Sequence, residues 1–175
     1  METLVKTKWA IDPTHSEIGF KVKHMMLTTV KGHFNRFEAY VEADDESFKQ
    51  AEIEVSVDIH SIDTRNSDRD AHLKSDEFFH AAAFPKLTFR SVSFDGSKLV
   101  GDLTIRGITR RTTLDVDFTG VATDPYGQTK AGFEIIGEIN RKEFGLKWNA
   151  VTEAGNIVVS DTVQLIIDAQ FVKQD

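Results

Sequence analysis

Six histidines are the side chains of this sequence best suited to bind a metal or to move a proton. They are His15, His24, His33, His60, His72 and His80. Imidazole ligates zinc and titrates near neutral pH. A helical zinc site needs a motif such as H-E-x-x-H, and no two of these histidines are three or four residues apart. The spacing therefore favours surface or hydrogen-bonding roles and predicts no metal site.

A second candidate for chemistry lies near the N-terminus, where the residue types of a hydrolase triad come close together. They are Asp12, His15 and Ser16. No serine in the chain stands in the G-x-S-x-G motif of a nucleophile elbow. Adjacent residues on a strand also point to opposite faces, so His15 and Ser16 do not pair simply. The pattern predicts no catalytic residue, and an enzyme that uses His15 and a nearby carboxylate is kept as an alternative.

Acidic residues and cysteines offer no stronger site. Asp68, Asp70 and Asp76 could coordinate calcium, but their loop lacks the glycine and the final glutamate of an EF-hand. The chain has no cysteine, which excludes a thiolate nucleophile, a disulfide and a cysteine-ligated metal. We therefore expect neither a metal nor a cofactor.

Composition narrows the partners and the compartment. The 175 residues suit one domain covering residues 1–175. A net charge of −7 argues against nucleic acid and against docking on an anionic membrane. Residues 1–8 lack a signal-peptide core, and no segment is long and apolar enough to span a bilayer. We expect a soluble cytoplasmic protein without stable membrane insertion (periplasmic if a leader has been trimmed), and a homodimer is left open.

The elements that position these residues are short strands in which every second residue is apolar. Residues 53–59 show the pattern well, because Ile53, Val55, Val57 and Ile59 alternate with polar residues. Period two places one face of a strand in a dry interior and the other in water. Eight such strands are predicted, at about residues 17–24, 30–43, 51–61, 86–95, 99–105, 114–122, 131–139 and 163–171.

Three features interrupt the alternation. Its parity changes between Phe34 and Phe37 and again between Phe89 and Val92, as a β-bulge would cause. Between Ile62 and Pro85 the pattern becomes helical, with a helix start near Thr64 and a second short turn after Ser75. This helical insert is long enough to cover one end of a barrel. Its large apolar side chains are expected to cap apolar surface there: Leu73, Phe78, Phe79 and Phe84. Three polar residues of the insert are expected to form a cluster: Arg69, Asp70 and His72.

Closure into a barrel is expected because it removes unpaired strand edges. Gly101, Gly120 and Gly137 lie on the apolar parity of consecutive strands, and inward-facing glycines would leave the lumen partly empty. Relief of strain where strands coil sharply is an equal alternative. The chain also has 13 phenylalanines, many on the apolar parity, which could form an ordinary core or line a dry tube.

Several motifs, taken in order, resemble the YceI-like family of lipid-binding barrels, whose architecture is related to that of lipocalins. The similarity covers nearly all of residues 9–171. Its segments are residues 9–12, 15–16, 20–24, 32–34, 61–64, 69–79, 84–85, 101–107, 140–145 and 159–163. The most specific segment, RDAHLKSDEFF, lies in the helical insert. Members of this family are often exported to the periplasm.

The resemblance implies an all-β fold: an eight-stranded antiparallel lipocalin-like barrel, with the helical insert between strands three and four. It also implies a lumen that binds a long apolar lipid of polyisoprenoid, isoprenoid quinone or fatty-acyl type, for carriage, storage or sequestration rather than catalysis. A lipid-modifying enzyme and a filled-barrel interaction module are the alternatives. The insert is expected to be either a gate or a fixed plug.

The expected ligand-binding residues fall into two groups. The lumen group contains Phe20, Phe34, Phe37, Leu73, Phe78, Phe89, Gly101, Phe118, Phe133, Gly137 and Phe171. A head-group site is expected at a barrel mouth and contains Asp12, His15 and Arg69.

Overall fold

Alternating residues pair into one antiparallel sheet in the computed structural model, which describes residues 6–148 and 159–175. The strands in these ranges are β1 Thr7–Ile11, β2 Glu17–His24, β3 Thr28–Phe34, β4 Phe37–Ala43, β5 Glu52–Asp58, β6 Ile62–Asp63, β7 Lys86–Phe94, β8 Lys98–Ile105, β9 Ile108–Thr123, β10 Thr129–Asn140 and β11 Val159–Lys173. One α-helix, α1, spans Ser67–Lys74, and 3₁₀ turns span Pro13–His15, Ile59–Ser61 and Arg141–Phe144. No helix in the described part of the chain is long and apolar enough to cross a membrane.

These segments occupy eight positions around a closed barrel, because three positions hold two consecutive segments each. β1 and β2 both pair with β11. On their other edges, β1 pairs with β4 and β2 pairs with β3. β5 and β6 continue the series by pairing with β4 and β3. The last strand returns to the first through Trp9 opposite Lys173, which closes the ring. The predicted eight-stranded antiparallel barrel with a helical insert is confirmed.

The structure corrects two details of the predicted strands. β1 was not predicted as a strand, although it supplies the closing contact. The parity change after Phe34 is a break between β3 and β4 and not a bulge: the Asn35 N–H donates to the Ser61 carbonyl at 3.1 Å, and the Arg36 carbonyl accepts from the Asp58 N–H at 3.0 Å. The second parity change is confirmed as a register shift between Ser91 and Ser93.

Aromatic packing closes the barrel end that carries the β4–β5 loop, called here the plug end. Phe48 leaves this loop with a φ of 61° and is buried in the barrel. Its ring centroid lies 5.0 Å from Trp9, 5.4 Å from Phe118 and 5.1 Å from Phe133. A left-handed backbone is costly for phenylalanine, so the packing of the ring must offset local strain.

The opposite end, called here the insert end, carries residues 64–85. Asn66 caps α1 by accepting from the Arg69 N–H at 3.0 Å. Hydrogen-bonded turns follow the helix where a second helical turn was expected. The Arg106 guanidinium, in the β8–β9 turn, donates to the Phe78 carbonyl at 2.8 Å and so ties the insert to the barrel wall.

Replacing Phe48 with alanine should destabilise the protein, because the ring fills the plug end among three other aromatic rings. We expect a loss of about 3–5 kcal/mol in the free energy of unfolding, measured by urea denaturation. Tyr126→Ala is the control, since this side chain is 90% exposed in the β9–β10 turn and should change stability by less than about 0.5 kcal/mol. Equal stability of Phe48→Ala and wild type would show that the loop does not plug the barrel.

Candidate functional site

The interior of the barrel contains a cavity of about 200 Å³. Every strand position contributes to its lining, and the insert adds Leu73, Phe78 and Phe79. No polar atom of the described residues presents surface to this space. Such a cavity favours hydrocarbon, because a buried polar group would find no hydrogen-bonding partner there.

The cavity is long compared with its volume. Its lining follows β11 from Val159 to Phe171, and because barrel strands tilt by about 35–45°, these residues span about 30 Å along the barrel axis. A volume below the usual range of pockets for compact ligands, spread over that length, makes a narrow tube. The shape suits a slender chain better than a fused ring system.

Seven of the predicted lumen residues line this cavity. They are Phe20, Phe34, Leu73, Phe78, Phe89, Phe133 and Phe171. Phe37 and Phe118 instead pack against the two hydrophobic clusters of the core without lining the cavity. Contact with a ligand remains a prediction for the whole set.

Of the two alternatives for the glycines, empty space in the lumen is not what the structure shows at Gly101 and Gly137. A Cβ on Gly101 would overlap the ring of Phe89 and lie 2.6 Å from the Arg90 carbonyl oxygen, and a Cβ on Gly137 would overlap the end of Leu114. Each glycine therefore leaves room for a large side chain of the neighbouring strand to pack over its backbone. Gly120 is exposed, with a φ of 128°, because the register of β9 and β10 shifts beside it.

Asp12 and His15 form a polar cluster away from the cavity. His15 Nδ1 lies 2.8 Å from Asp12 Oδ2, and the His15 side chain is 58% exposed. Lys130 Nζ lies 3.6 Å from Asp12 Oδ2 and 3.3 Å from Asp124 Oδ2. This cluster joins the β1–β2 kink to the outer face of β10, and neither Asp12 nor His15 lines the cavity. Their part in binding a head group stays a prediction.

The Arg69 side chain forms its hydrogen bonds within the insert, to Thr64. Its Nε donates to the Thr64 hydroxyl at 2.8 Å, and its Nη2 donates to the Thr64 carbonyl at 2.6 Å. Asp70 accepts from the Thr64 N–H at 2.9 Å. These bonds fix the entry to α1. Among the described residues, no hydrogen bond or ion pair joins Arg69 to Asp12 or His15.

His72 does not join the polar cluster of Arg69 and Asp70 that the sequence suggested. Its ring contacts Phe78 at 5.1 Å and Trp148 at 4.8 Å between centroids, and its Nε2 lies 3.4 Å from Glu77. Phe84, expected to cap the lumen, packs over Gly107 outside the cavity lining. The insert therefore presents Leu73, Phe78 and Phe79 to the cavity.

Arg141 was missed as a site residue. It is 3% exposed and lies beside the insert end of the cavity. Its guanidinium donates to the carbonyls of Leu146 at 2.6 Å, Trp148 at 2.7 Å and Ser160 at 2.9 Å. Burial lowers its pKa, while the nearby Asp161 carboxylate acts in the opposite direction. Arg141 lies in one of the motifs of the resemblance, residues 140–145, but its role could not be predicted, because the five donors of arginine are matched only by the folded backbone.

Metal chemistry finds no support in the described ranges. They contain no group of three or more histidine, aspartate or glutamate side chains able to hold an ion. The geometry instead offers a closed barrel, a narrow apolar lumen and one buried cation at its insert end. Together these features define a lipocalin-like barrel built around an internal cavity.

Comparison with known proteins agrees with that class. The YceI-like domain model matches residues 9–171. The chain therefore belongs to the YceI-like family, as its motifs indicated. A UPF0312 protein of Staphylococcus aureus strain USA300 is 39% identical over 166 residues, which cover 94% of this chain and 97% of that protein.

Solved structures show the same fold. The Campylobacter jejuni YCEI protein has a TM-score of 0.73 and 29% identity, and all of each chain is covered. Burkholderia cenocepacia BcnA has a TM-score of 0.78 at 22% identity, with 91% of this chain and 98% of BcnA covered. A polyisoprenoid binding domain from Saccharophagus degradans has a TM-score of 0.65 at 14% identity, with 95% and 98% covered. The last two likenesses establish the barrel fold alone.

The polar cluster of Asp12, His15 and Lys130 should make the stability of the protein depend on pH, through the carboxyl group of Asp12. Hydrogen bonds from the Thr14 hydroxyl, and then from His15 and the Thr14 N–H, hold the pKa of Asp12 well below its usual range against the effect of desolvation. A carboxylate with a depressed folded-state pKa adds stability above its unfolded pKa, near 4, and that stability is lost as pH falls through the folded value. Asp12→Asn should therefore be less stable than wild type at pH 7.

The difference between Asp12→Asn and wild type should shrink as the pH falls below about 4. Urea midpoints measured from pH 7 to pH 2 test this. Glu38→Gln, an exposed carboxylate on the outer face of β4, is the control and should keep the wild-type profile. A constant difference between Asp12→Asn and wild type across the range would contradict the assignment.

Proposed function

We propose that this protein binds the hydrocarbon chain of a long apolar lipid inside the barrel, for carriage, storage or sequestration and without catalysis. The observation that carries the proposal is the narrow lumen, into which the described residues present no polar atom. Polyisoprenoids, isoprenoid quinones and fatty-acyl lipids all have a chain of the required shape. Among them we favour a polyisoprenoid, because the same fold serves the Saccharophagus degradans domain named for binding one.

The apolar lining supplies the binding energy. Burial of each CH₂ is worth about 0.8 kcal/mol, so one five-carbon isoprene unit contributes roughly 3–4 kcal/mol before the cost of ordering the chain. The binding energy increases with the number of isoprene units that the cavity of about 200 Å³ can hold. Such a lipid should remain with the protein through purification.

The polar head of the lipid is proposed to lie at the insert end. The plug end is filled by Phe48 and its aromatic neighbours, whereas the insert end holds the buried cation of Arg141. A head group drawn into the apolar tube would lose hydrogen bonds to water, at a cost of about 1–3 kcal/mol for each unmet group. The head therefore stays near water at the insert end, and only the chain enters.

No specific observation favours the two alternative functions, a lipid-modifying enzyme and a filled-barrel interaction module. An enzyme using His15 would need this side chain beside the bound lipid, but the imidazole lies in the outer cluster with Asp12 and Lys130. A filled-barrel module would need no tube, whereas the lumen contains a cavity. We therefore retain lipid binding as the single proposed function.

Gly137→Phe tests the lumen directly, because the new ring must displace the end of Leu114 into the tube. Lipid-free protein would be mixed with a polyprenol and the bound fraction measured by native mass spectrometry. We expect loading to fall at least about tenfold, the loss of two or more buried CH₂ groups. Gly101→Phe is less suitable, because the fixed Arg90 carbonyl would clash and could unfold the protein.

Ile136→Phe is the matched control, since Ile136 is the adjacent residue on β10, 55% exposed on the outer face. This variant should bind polyprenol as wild type does. Circular dichroism verifies that both variants are folded. If folded Gly137→Phe bound as much polyprenol as Ile136→Phe, the lumen assignment would fail.

Lipid binding should also slow hydrogen exchange in the insert, since Leu73, Phe78 and Phe79 line the cavity. The reporters are the Phe79 and Ala81 amides, which bond to the Leu73 and Lys74 carbonyls at 3.0 and 2.9 Å. Polyprenol-loaded protein should protect both amides more than lipid-free protein, because local opening would expose the bound chain. Unchanged exchange on loading would indicate a fixed plug and count against a gate.

A further inference from the structure

The tip of the β2–β3 hairpin exposes three consecutive large apolar side chains. Met25, Met26 and Leu27 are 38%, 70% and 79% exposed. The other exposed large hydrophobics in the described ranges, Tyr40, Val92, Tyr126 and Ile136, are isolated in the sequence. Single exposed apolar residues are ordinary, but a contiguous apolar tip indicates a contact surface.

The turn holds these side chains outward with a strained backbone. Met25 and Met26 have φ values of 53° and 58°, in the left-handed region that hairpin turns usually fill with asparagine and glycine. The Leu27 N–H closes the turn on the His24 carbonyl at 3.0 Å. Asparagine and glycine would adopt this turn with less strain, so turn formation does not account for the two methionines.

The tip stands within a basic hairpin. Residues 18–37 contain no aspartate or glutamate, although acidic residues outnumber lysine and arginine by 28 to 21 in the whole chain. Lys21 lies directly opposite Lys31, and Lys23 lies opposite Thr29, to whose hydroxyl its Nζ donates at 3.1 Å.

Lys21, Lys23 and Lys31 are called here the lysine collar. They have no ion pair among the described residues, whereas four other lysines do: Lys6, Lys98, Lys130 and Lys142. Like charges directly across a strand pair are destabilising. Since no described residue neutralises it, the collar favours an anionic partner.

The hairpin lies at the insert end, where the cavity approaches the surface. Val22, three residues before Met25, lines the cavity. Val159, opposite His24 on β11, lines it as well. On its other edge, β3 is paired only at His33 and Phe34 among the described residues, so residues 28–32 extend past β6.

We propose that the apolar tip and the lysine collar dock this protein onto the surface of an anionic lipid bilayer. Met25, Met26 and Leu27 enter the interface between head groups and acyl chains, and the lysines lie against anionic head groups. Docking would bring the insert end of the lumen to the bilayer. The net charge of −7 argued against docking on an anionic membrane. Net charge is a sum over the whole chain, however, and it does not show that basic residues are concentrated on one hairpin.

Flotation with lipid vesicles tests the docking without reference to what the lumen holds. The vesicles are phosphatidylcholine alone, or phosphatidylcholine with one-third phosphatidylglycerol, each at low and high salt. Wild type should bind the anionic vesicles and release them in high salt, because salt screens exposed charges and two of the three collar lysines, Lys23 and Lys31, are exposed. Met26→Ser/Leu27→Ser should bind at least about tenfold more weakly. Lys21→Gln/Lys31→Gln should lose roughly fivefold for each lysine.

Tyr126→Ser is the matched control, because it removes a 90% exposed apolar side chain from the plug end and should bind as wild type does. A depth measurement supports the same test: the chain has no cysteine, so Leu27→Cys carries a single polarity-sensitive dye. Its emission should shift to the blue on anionic vesicles and stay unchanged with phosphatidylcholine alone.

Absence of wild-type binding to anionic vesicles would overturn the proposal. Equal binding by the tip, collar and control variants would overturn it too. A wild type that ignored vesicles but dimerised through the tip, with a monomeric Met26→Ser/Leu27→Ser variant, would assign the surface to a second copy of the chain instead. Lumen binding of polyprenol would be unaffected by any of these results.

Discussion

The pairing of β1 with both β11 and β4 is the constraint on which the rest of the structure depends. Five residues, Thr7–Ile11, join the last strand to the fourth and turn an open sheet into a ring. Without them, β4 and the C-terminal half of β11 would present unpaired backbone groups, which is a risk for aggregation. Trp9 secures this pairing from inside, because its fully buried ring packs on Phe48.

Closure also determines what the interior can contain. Eight strand positions enclose a lumen that side chains nearly fill, and alternation makes the inward positions mostly apolar. Thr112 is an exception, and its hydroxyl donates to the Arg110 carbonyl. Glycine at positions 101 and 137 lets Phe89 and Leu114 lie across the wall, so large side chains line the tube without blocking it. The plug end is filled from a loop by Phe48, whereas the insert end is covered by residues 64–85 and braced by Arg141.

The two ends therefore differ in chemistry. The plug end is an aromatic cluster, and the insert end combines a buried cation, the apolar hairpin tip and the lysine collar. A lipid bound in the tube is proposed to enter with its chain toward Phe48 and its head toward Arg141. The same end would face the bilayer in the docked protein, which joins the two proposals in one geometry while leaving each open to its own test.

Most of the fold follows from the sequence because period-two alternation is a local signal. Eight strand positions, the insert and the bulge near Val92 could be predicted in this way. β1 could not, because five residues before Pro13 give too short an alternation to separate from a terminal segment. The break at Asn35 also looked like a bulge, since the two have the same effect on parity.

The site was less predictable because it depends on contacts between distant residues. Sequence parity placed Phe20 and Phe133 correctly on the lumen side, but it could not show that Phe89 covers Gly101. Its position beside the first predicted strand suggested a head-group role for His15, whereas the kink after β1 places its imidazole 2.8 Å from Asp12 and outside the cavity lining. The role of Arg141 arises from backbone carbonyls of residues 146–160, which no residue type reveals.

Mass spectrometry of an organic extract tests the central claim, that the tube holds a lipid chain, most directly. The protein would be purified without detergent from the cells that make it, and the extracted lipid would be quantified against protein. The account predicts one class of long-chain lipid, enriched far above its share of total cell lipid and present at close to one molecule per chain. A folded protein that yields only background lipid, and that takes up no polyprenol when it is supplied, would contradict the account.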